Sequence, residues 1–236
     1  METIKGEPDI IDIKNPIEGS LGANFPWLIS QTHLKIQERN KQNEMCGMKK
    51  KNELSAAIGD FPFLPGSASL AALGAAVSGV NYVKIGMMGP KDKEKGIMMA
   101  KSVVRAVKDY NSDIKTVIAG YADQSLLNRS IDPLLIPEIT YESGADVAMI
   151  DTAIKNGRSL FDHLSFQEIL NFKNFAHSNN IEIALAGSLK FADLDKITKL
   201  DPEIIGVRSM VCENFDRVKG RIKSDLILKL ITKLKI

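Results

Sequence analysis

Short apolar runs alternate with longer stretches of helical spacing along the whole chain. Each run is rich in Ile, Val and Ala and ends near Gly, Ser, Asp or Lys. Near-continuous hydrophobicity is typical of parallel strands that are buried on both faces. The predicted strands are residues 8–15, 53–60, 81–88, 114–121, 145–152, 181–188 and 203–210. The predicted helices are residues 24–42, 67–79, 91–109, 133–143, 165–179, 190–199 and 217–235. Ser67 and Ser165 are predicted N-caps, and Gly144 is predicted to end the helix before it.

This regular alternation predicts an α/β protein, a (β/α)₈ TIM barrel that forms a single domain over residues 1–236. No G-x-G-x-x-G sequence follows an early strand, which argues against a dinucleotide-binding fold. Seven strands are visible instead of eight, and the chain begins almost directly on the first of them. A barrel of seven strands would have an open seam between its first and last strands. We therefore expect another element to close the gap, or a barrel that lacks the first strand and most of the first helix.

Composition narrows the class of protein. The formal net charge is only +2, which argues against a nucleic-acid binder. Hydrophobic residues make up 44% of the chain, as expected of a globular protein that buries a large core. No apolar run is long enough to span a membrane, and the N-terminus lacks a secretion signal. Cys46 and Cys212 form no C-x-x-C pair, as expected in a reducing cytoplasm.

The polar segment 35–52 is interpreted as a solvated helix end and surface loop. The three histidines lack the spacing of a zinc site: His33, His163 and His177.

Charged residues fall at the carboxyl ends of three predicted strands, where TIM barrels place their active sites. Side chains alternate along a strand, so Asp12 and Lys14 of "DIIDIKNP" point to the same side, into the barrel mouth. Lys84 lies near the end of "NYVKIG", and Asp151 ends "ADVAMID" with Lys155 four residues later. A single such residue is usually solvated or paired, and an ion-pair network could explain the set. Three lysines and two acids at one end of the barrel nevertheless favour a catalytic site.

The chemistry follows from the proximity of these groups. A lysine amine is a poor nucleophile while it is protonated, with an ordinary pKa of about 10.4. Neighbouring cations and a desolvated pocket lower that pKa and give free amine at neutral pH. Such an amine attacks an aldehyde or ketone to form a Schiff base, and a second lysine or a carboxylate then moves protons to and from carbon. The residues therefore predict aldol-type carbonyl chemistry.

The last two strands predict a site for a substrate phosphate. Gly187 and Ser188 end one strand just before a helix, and Gly206, Arg208 and Ser209 end the next. Backbone N–H groups and a helix N-terminus can bind an anion there, and barrel enzymes commonly bind phosphate after their last two strands. The alternative is that these small residues serve only tight packing. The expected partner is thus a small phosphorylated molecule, with no nucleic acid and no membrane, and the chain is compatible with a homo-oligomer.

Six blocks of the sequence resemble the (5-formylfuran-3-yl)methyl phosphate synthase family of methanofuran biosynthesis, an archaeal and methylotroph family with a TIM-barrel fold. They are "DIIDIKNPIEGSLGANFPW", "GSASLAALGAAVSGVNYVKIGM", "VIAGYAD", "DVAMIDTAIKNGRSLFDHL", "ALAGSL" and "IIGVRS". The resemblance covers nearly the whole chain, and the first and fourth blocks are highly specific. It implies a lyase that condenses two glyceraldehyde 3-phosphate molecules, with loss of phosphate and water, without a metal or organic cofactor.

The resemblance also implies roles for residues. Lys14 would be the Schiff-base nucleophile and Lys84 the proton acceptor, while Asp151 and Lys155 belong to the same site and Asp12 lies beside Lys14. Family members normally carry a strand and most of a helix before the first block, and the segment after "NFPW" is about ten residues longer here. We expect surface loops to tolerate the longer segment. The first strand of the family should flank the strand that carries Lys14, so we expect its absence to affect the activity of the chain as written. The remaining alternatives are a class I aldolase of another sugar phosphate and an inactive phosphate-binding paralogue.

Overall fold

The structure, a computed structural model, describes residues 2–127, 130–217 and 219–234. Seven parallel strands pair in chain order, β1 to β7, in one curled sheet. The strands are β1 (Ile10–Ile13), β2 (Glu53–Asp60), β3 (Tyr82–Gly86), β4 (Lys115–Tyr121), β5 (Val147–Asp151), β6 (Glu182–Leu185) and β7 (Ile204–Ile205). All seven predicted strands are therefore present, and the predicted barrel-type α/β fold is confirmed. The first and last strands are shorter than predicted.

Helices alternate with the strands and cover the sheet. They are α1 (Glu2–Lys5), α2 (Pro26–Met45), α3 (Pro65–Val77), α4 (Lys93–Tyr110), α5 (Ile136–Ser143), α6 (Phe166–Ser178), α7 (Leu194–Leu200) and α8 (Ser224–Leu234). Ser165 caps α6 in a reciprocal capping box with Glu168, as predicted. Gly144 ends α5 in the left-handed conformation, also as predicted. Ser67 is not an N-cap, because α3 already begins at Pro65, a residue whose fixed φ suits the first helical turn.

The predicted helix over 217–235 is wrong at its start, and residues 218 and 235 lie outside the described residues. Two short 3₁₀ turns, residues 209–211 and 213–215, precede this segment. Ile222 then pairs with Cys212 in an isolated antiparallel bridge, and Lys223 N–H donates to the Val211 carbonyl at 2.9 Å. Because these bonds hold the chain extended up to Lys223, α8 begins only at Ser224.

Side chains alternate between the two faces of the sheet. One set packs against the helices and includes Ile11, Ile85, Ile118, Ile150 and Ile183. The other set faces the inside of the curl and includes Tyr82, Val117, Ala119, Met149 and Ala184. This alternation puts Asp12, which follows Ile11 by one residue, on the inner side of β1.

The edges of β1 and β7 form no ladder with each other within the described residues. Helices α1 and α8 contact each other beside these edges, where Ser224 donates from its hydroxyl to Glu2 at 2.9 Å. Gly6 lies directly against Ile227, since a Cβ on this glycine would come within 2.7 Å of it. Residues of α1, α8, β1 and β7 line one cavity, so the two helices lie next to the seam that the strand count predicts. No helix of the described ranges is long and apolar enough to cross a membrane.

Candidate active site

One cavity of about 310 Å³ contains all ten residues that the sequence nominates. They are Asp12, Lys14, Lys84, Asp151, Lys155, Gly187, Ser188, Gly206, Arg208 and Ser209. The ten residues come from β1, β3, β5 and the segments that follow β1, β5, β6 and β7. The parallel sheet thus brings together residues that are up to 197 positions apart, counted from Asp12 to Ser209. Their assigned roles stay predictions.

The first ion pair in the cavity joins β3 to β1. Lys84 Nζ lies 2.6 Å from Asp12 Oδ1, and the Lys84 side chain is only 8% exposed. Burial opposes ionisation of Asp12, but the positive charges of Lys84 and Lys14 outweigh it and hold the pKa of Asp12 below its ordinary value. Asp12 is therefore an ionised carboxylate that stabilises the positive charge of the amine it contacts.

The second cluster centres on Asp151, which is almost fully buried. Lys155 Nζ lies 2.8 Å from Asp151 Oδ1, and Lys14 Nζ lies 3.9 Å from Oδ2. The Thr152 N–H donates to Oδ1 at 2.7 Å. Burial again opposes ionisation, yet Lys155 and Lys14 together hold the pKa of Asp151 below its ordinary value. Asp151 stays ionised and positions two amines at once.

Lys14 lies between these two clusters, and its pKa is lowered. Burial is the main cause, because a desolvated ammonium is disfavoured, and the like charges of Lys84 and Lys155 add to it. Asp151 and Asp12 act in the opposite direction without reversing the shift. Asn24 fixes the strand end by donating from its amide to the Lys14 carbonyl at 3.3 Å. Lys14 is thus the amine best placed to act as a nucleophile.

A buried carboxylate that the sequence reasoning missed holds the loop carrying Lys155. Asp123, which follows β4, is 0% exposed. Its two oxygens accept from the backbone N–H groups of Ala153 and Ile154 at 2.8 and 2.7 Å. The loop from Thr152 to Lys155 is therefore clamped at the point where Lys155 turns back to Asp151. The available signal was an acid directly after a predicted strand, in "VIAGYAD".

A second missed group explains the glycine at the end of β3. Tyr121 donates from its hydroxyl to Asp60 Oδ2 at 2.7 Å, while Asp60 Oδ1 is buried and has no partner among the described residues. Burial raises the pKa of Asp60. A Cβ on Gly86 would lie only 2.0 Å from Asp60 Oδ1. Only glycine leaves room for this carboxyl group two residues after Lys84.

The predicted phosphate-binding segments approach each other in the lining of the same cavity. Gly187 and Ser188 both have positive φ, 106° and 48°, and a Cβ on Gly187 would meet Thr152 Cγ2 at 2.9 Å. The Gly206 N–H already donates to the Leu185 carbonyl at 2.9 Å. Gly206 therefore contributes its lack of a side chain and not a free N–H group. Arg208 adds a positive charge to the lining of the cavity.

A further arginine, Arg217, lines the same cavity and was also missed. It follows the two 3₁₀ turns, in a segment that the sequence predicted as helix, so nothing in the pattern placed it near Arg208. Within the described ranges, no group of three or more His, Cys, Asp or Glu side chains could hold a metal ion. The polar groups of the cavity are amines, guanidinium groups, carboxylates and hydroxyls, a set suited to a phosphorylated carbonyl compound.

Solved structures with similar folds define the class of protein as TIM-barrel-like. The chain superposes on KGPDC from Streptococcus mutans with a TM-score of 0.63 over 97% of this chain and 86% of that one, at 12% identity. Orotidine 5'-phosphate decarboxylase from Pyrococcus horikoshii gives a TM-score of 0.60 over 100% and 91%, also at 12% identity. At such low identity the likeness shows the fold alone.

Sequence comparison identifies the family. The model of the 4-HFC-P synthase family matches residues 1–231. The (5-formylfuran-3-yl)methyl phosphate synthase of Archaeoglobus fulgidus is 48% identical over 231 residues, 98% of this chain and 92% of the relative. That of Methanopyrus kandleri is 42% identical over 98% and 92%. The chain belongs to the (5-formylfuran-3-yl)methyl phosphate synthase family, which confirms the resemblance seen in the sequence.

Proposed function

We propose that this protein is a lyase that condenses two glyceraldehyde 3-phosphate molecules into (5-formylfuran-3-yl)methyl phosphate, an intermediate of methanofuran biosynthesis. The relatives carry the name of that product. The observation that carries the mechanism is the position of Lys14, an amine of lowered pKa on a side chain only 18% exposed, between two lysine–carboxylate pairs. A Schiff base explains why one cavity holds three lysines.

Lys14 starts the reaction in this proposal. Its free amine attacks the aldehyde carbon of one triose phosphate, and water leaves as the imine forms. The protonated imine withdraws electrons from the neighbouring carbon and makes its hydrogen acidic. Lys84 first gives its ammonium proton to the departing water, which leaves the imine protonated, and then accepts the carbon-bound proton as a neutral amine; Asp12, 2.6 Å away, stabilises the ammonium that results. The enamine then attacks the aldehyde of the second triose.

Asp151 and Lys155 supply the remaining proton transfers. Lys155 is held 2.8 Å from Asp151, and Asp151 lies 3.9 Å from Lys14. The pair can therefore protonate the alkoxide that forms on the second triose and assist the loss of phosphate and water that completes the aromatic ring. Gly187, Ser188, Gly206, Arg208 and Ser209 hold phosphate in the same cavity. This assignment rests on their place in the cavity and on the charge of Arg208.

Identification of the product tests this function. The purified protein is incubated with glyceraldehyde 3-phosphate, and the products are separated and analysed by ultraviolet absorbance and mass spectrometry. The proposal predicts an aromatic aldehyde phosphate, which an ordinary aldolase would not form. Lys14→Arg keeps the charge but removes the nucleophile, so it should abolish product. Lys115→Arg, the same exchange in an ion pair with Glu182 at the opposite end of the strands, should retain activity.

The outcomes separate the alternatives. A non-aromatic aldol product would replace the proposal with a class I aldolase. Binding of glyceraldehyde 3-phosphate without any turnover at high protein concentration would indicate an inactive phosphate-binding paralogue.

A further inference from the structure

Two arginines line the cavity, and neither has a carboxylate partner among the described residues. Among the described residues, 15 ion pairs form within 4.0 Å, and neither Arg208 nor Arg217 takes part in any of them. Both residues are partly buried. Arg208 Nε is a buried donor that has no hydrogen-bond partner among the residues that the structure describes. Buried charges in proteins are normally paired. The positive charges of these two guanidinium groups are therefore not neutralised by any carboxylate of the described residues.

The electrostatics show that the two groups act on each other. Burial is the main cause of a lowered pKa at Arg217, and the like charge of Arg208 is the next. Asp151 is the carboxylate that acts on Arg217 in the opposite direction, but its oxygens already contact Lys155, Lys14 and the Thr152 N–H. Since guanidinium groups do not deprotonate at neutral pH, an anion bound between them would relieve the repulsion.

The segment that carries Arg217 is tied down next to the cavity. The Glu213 N–H donates to the Arg221 carbonyl at 3.0 Å, and the Lys223 N–H donates to the Val211 carbonyl at 2.9 Å. These bonds join the two ends of the loop on which Arg217 lies. Arg217 therefore belongs to a loop with fixed ends, and it faces the same cavity as Gly187 and Ser188.

We propose that Arg217 is a substrate-binding residue that shares the phosphate monoester dianion of the substrate with Arg208. The proposal rests on the proposed function for the identity of the ligand. Guanidinium groups bind phosphate oxygens through paired N–H donors. Two of them on one dianion would neutralise its charge and place the aldehyde end of the molecule toward Lys14, which lines the same cavity.

Binding of inorganic phosphate tests the role of Arg217 without requiring turnover. We would titrate inorganic phosphate into the wild type, Arg217→Met, Arg217→Lys and Arg221→Met by calorimetry. Arg221 is exposed and does not line the cavity, so Arg221→Met is the matched control. Loss of charge-assisted hydrogen bonds predicts a phosphate Kd that rises on the order of 10- to 100-fold in Arg217→Met. Arg217→Lys, which keeps the charge, should give a smaller increase, and the control should match the wild type.

Borohydride trapping adds a readout that a purely structural role would not change. The rate of imine trapping is measured with glyceraldehyde 3-phosphate and with glyceraldehyde, which lacks the phosphate. Arg217→Met should slow trapping of the phosphate ester and leave trapping of glyceraldehyde unchanged. Equal phosphate affinity in all four proteins, or equal slowing with both aldehydes, would overturn the proposal. A wild type that binds phosphate through Arg217 but traps neither aldehyde would instead refute the proposed function.

Discussion

Replacing Asp123 by Asn tests whether the clamped loop positions Lys155. The change keeps the size of the side chain but exchanges one carboxylate oxygen for an NH₂ group. Asp123 is fully buried and accepts from the Ala153 and Ile154 N–H groups at 2.8 and 2.7 Å. In Asp123→Asn one of these buried N–H groups faces another donor.

The magnitude follows from the hydrogen bond that is lost. A hydrogen bond to a charged group contributes about 1.5–3 kcal/mol, and a buried donor left without a partner costs about 1–3 kcal/mol. Both figures partly describe the same lost interaction, so the total cost is smaller than their sum. We therefore expect Asp123→Asn to lower the free energy of unfolding by roughly 2–4 kcal/mol. In a chain of this size that corresponds to a Tm lower by roughly 5–15 °C. Displacement of Lys155 by about 1 Å should also lower kcat on the order of 10²-fold.

Asp146→Asn is the matched control for this experiment. Asp146 accepts from the Thr116 N–H at 2.6 Å and from Lys108 Nζ at 3.0 Å. It therefore holds backbone in the same way, but it precedes β5 and lies at the end of the sheet opposite to Lys155. Thermal unfolding and formation of the furan aldehyde are measured for both variants, well below both Tm values. Both should lose stability, and only Asp123→Asn should lose kcat. Equal kcat in the two variants would refute the positioning role of Asp123.

Three further predictions concern the glycine of β3, a buried acid and the tuning of the nucleophile. Gly86→Ala should lower the free energy of unfolding in urea by about 1–3 kcal/mol, because the new Cβ would lie 2.0 Å from Asp60 Oδ1. The control is Gly74→Ala in helix α3, whose new Cβ would meet nothing within 4 Å, and it should be neutral or stabilising. The raised pKa of Asp60 means that its contribution to stability is complete below its unfolded pKa of about 4 and is lost as pH rises through the folded pKa. Asp60→Asn should therefore show less loss of stability than the wild type between pH 4 and 7 in urea unfolding, and an identical pH dependence would contradict this. Lys155→Met removes a cation that lowers the pKa of Lys14, so the pH at which the imine-trapping rate increases should be higher than in the wild type. An unchanged or lower pH would show that Lys155 does not lower the pKa of Lys14.

The strands and the charged residues at their carboxyl ends could be predicted from the sequence, for a physical reason. Parallel strands that are buried on both faces leave long apolar runs, so a charge at the end of such a run is conspicuous. Alternation along β1 then places Asp12 and Lys14 on the inner side, as the cavity lining confirms. A parallel sheet brings all such strand ends to one edge, which is why residues far apart in sequence could be grouped without knowledge of any contact.

The missed residues depend on contacts that leave no periodic pattern. Arg217 lies between two 3₁₀ turns and a single β-bridge, at the position where the sequence predicts the start of the last helix, and it lines the cavity from there. Asp123 looks like an ordinary polar residue after a strand, and only the positions of the Ala153 and Ile154 N–H groups reveal its function. The same holds for Gly206, whose N–H is bonded to Leu185. Local sequence does not report such long-range hydrogen bonds.

The central claim is that Lys14 forms a Schiff base with glyceraldehyde 3-phosphate. The most direct measurement is reduction of the protein–substrate mixture with borohydride, followed by proteolysis and mass spectrometry of the peptides. The account predicts one covalent adduct, located on Lys14, which is absent in Lys14→Arg and absent when substrate is omitted. An adduct located on Lys84 or Lys155 in the wild type, or product formation without any trapped adduct, would contradict it.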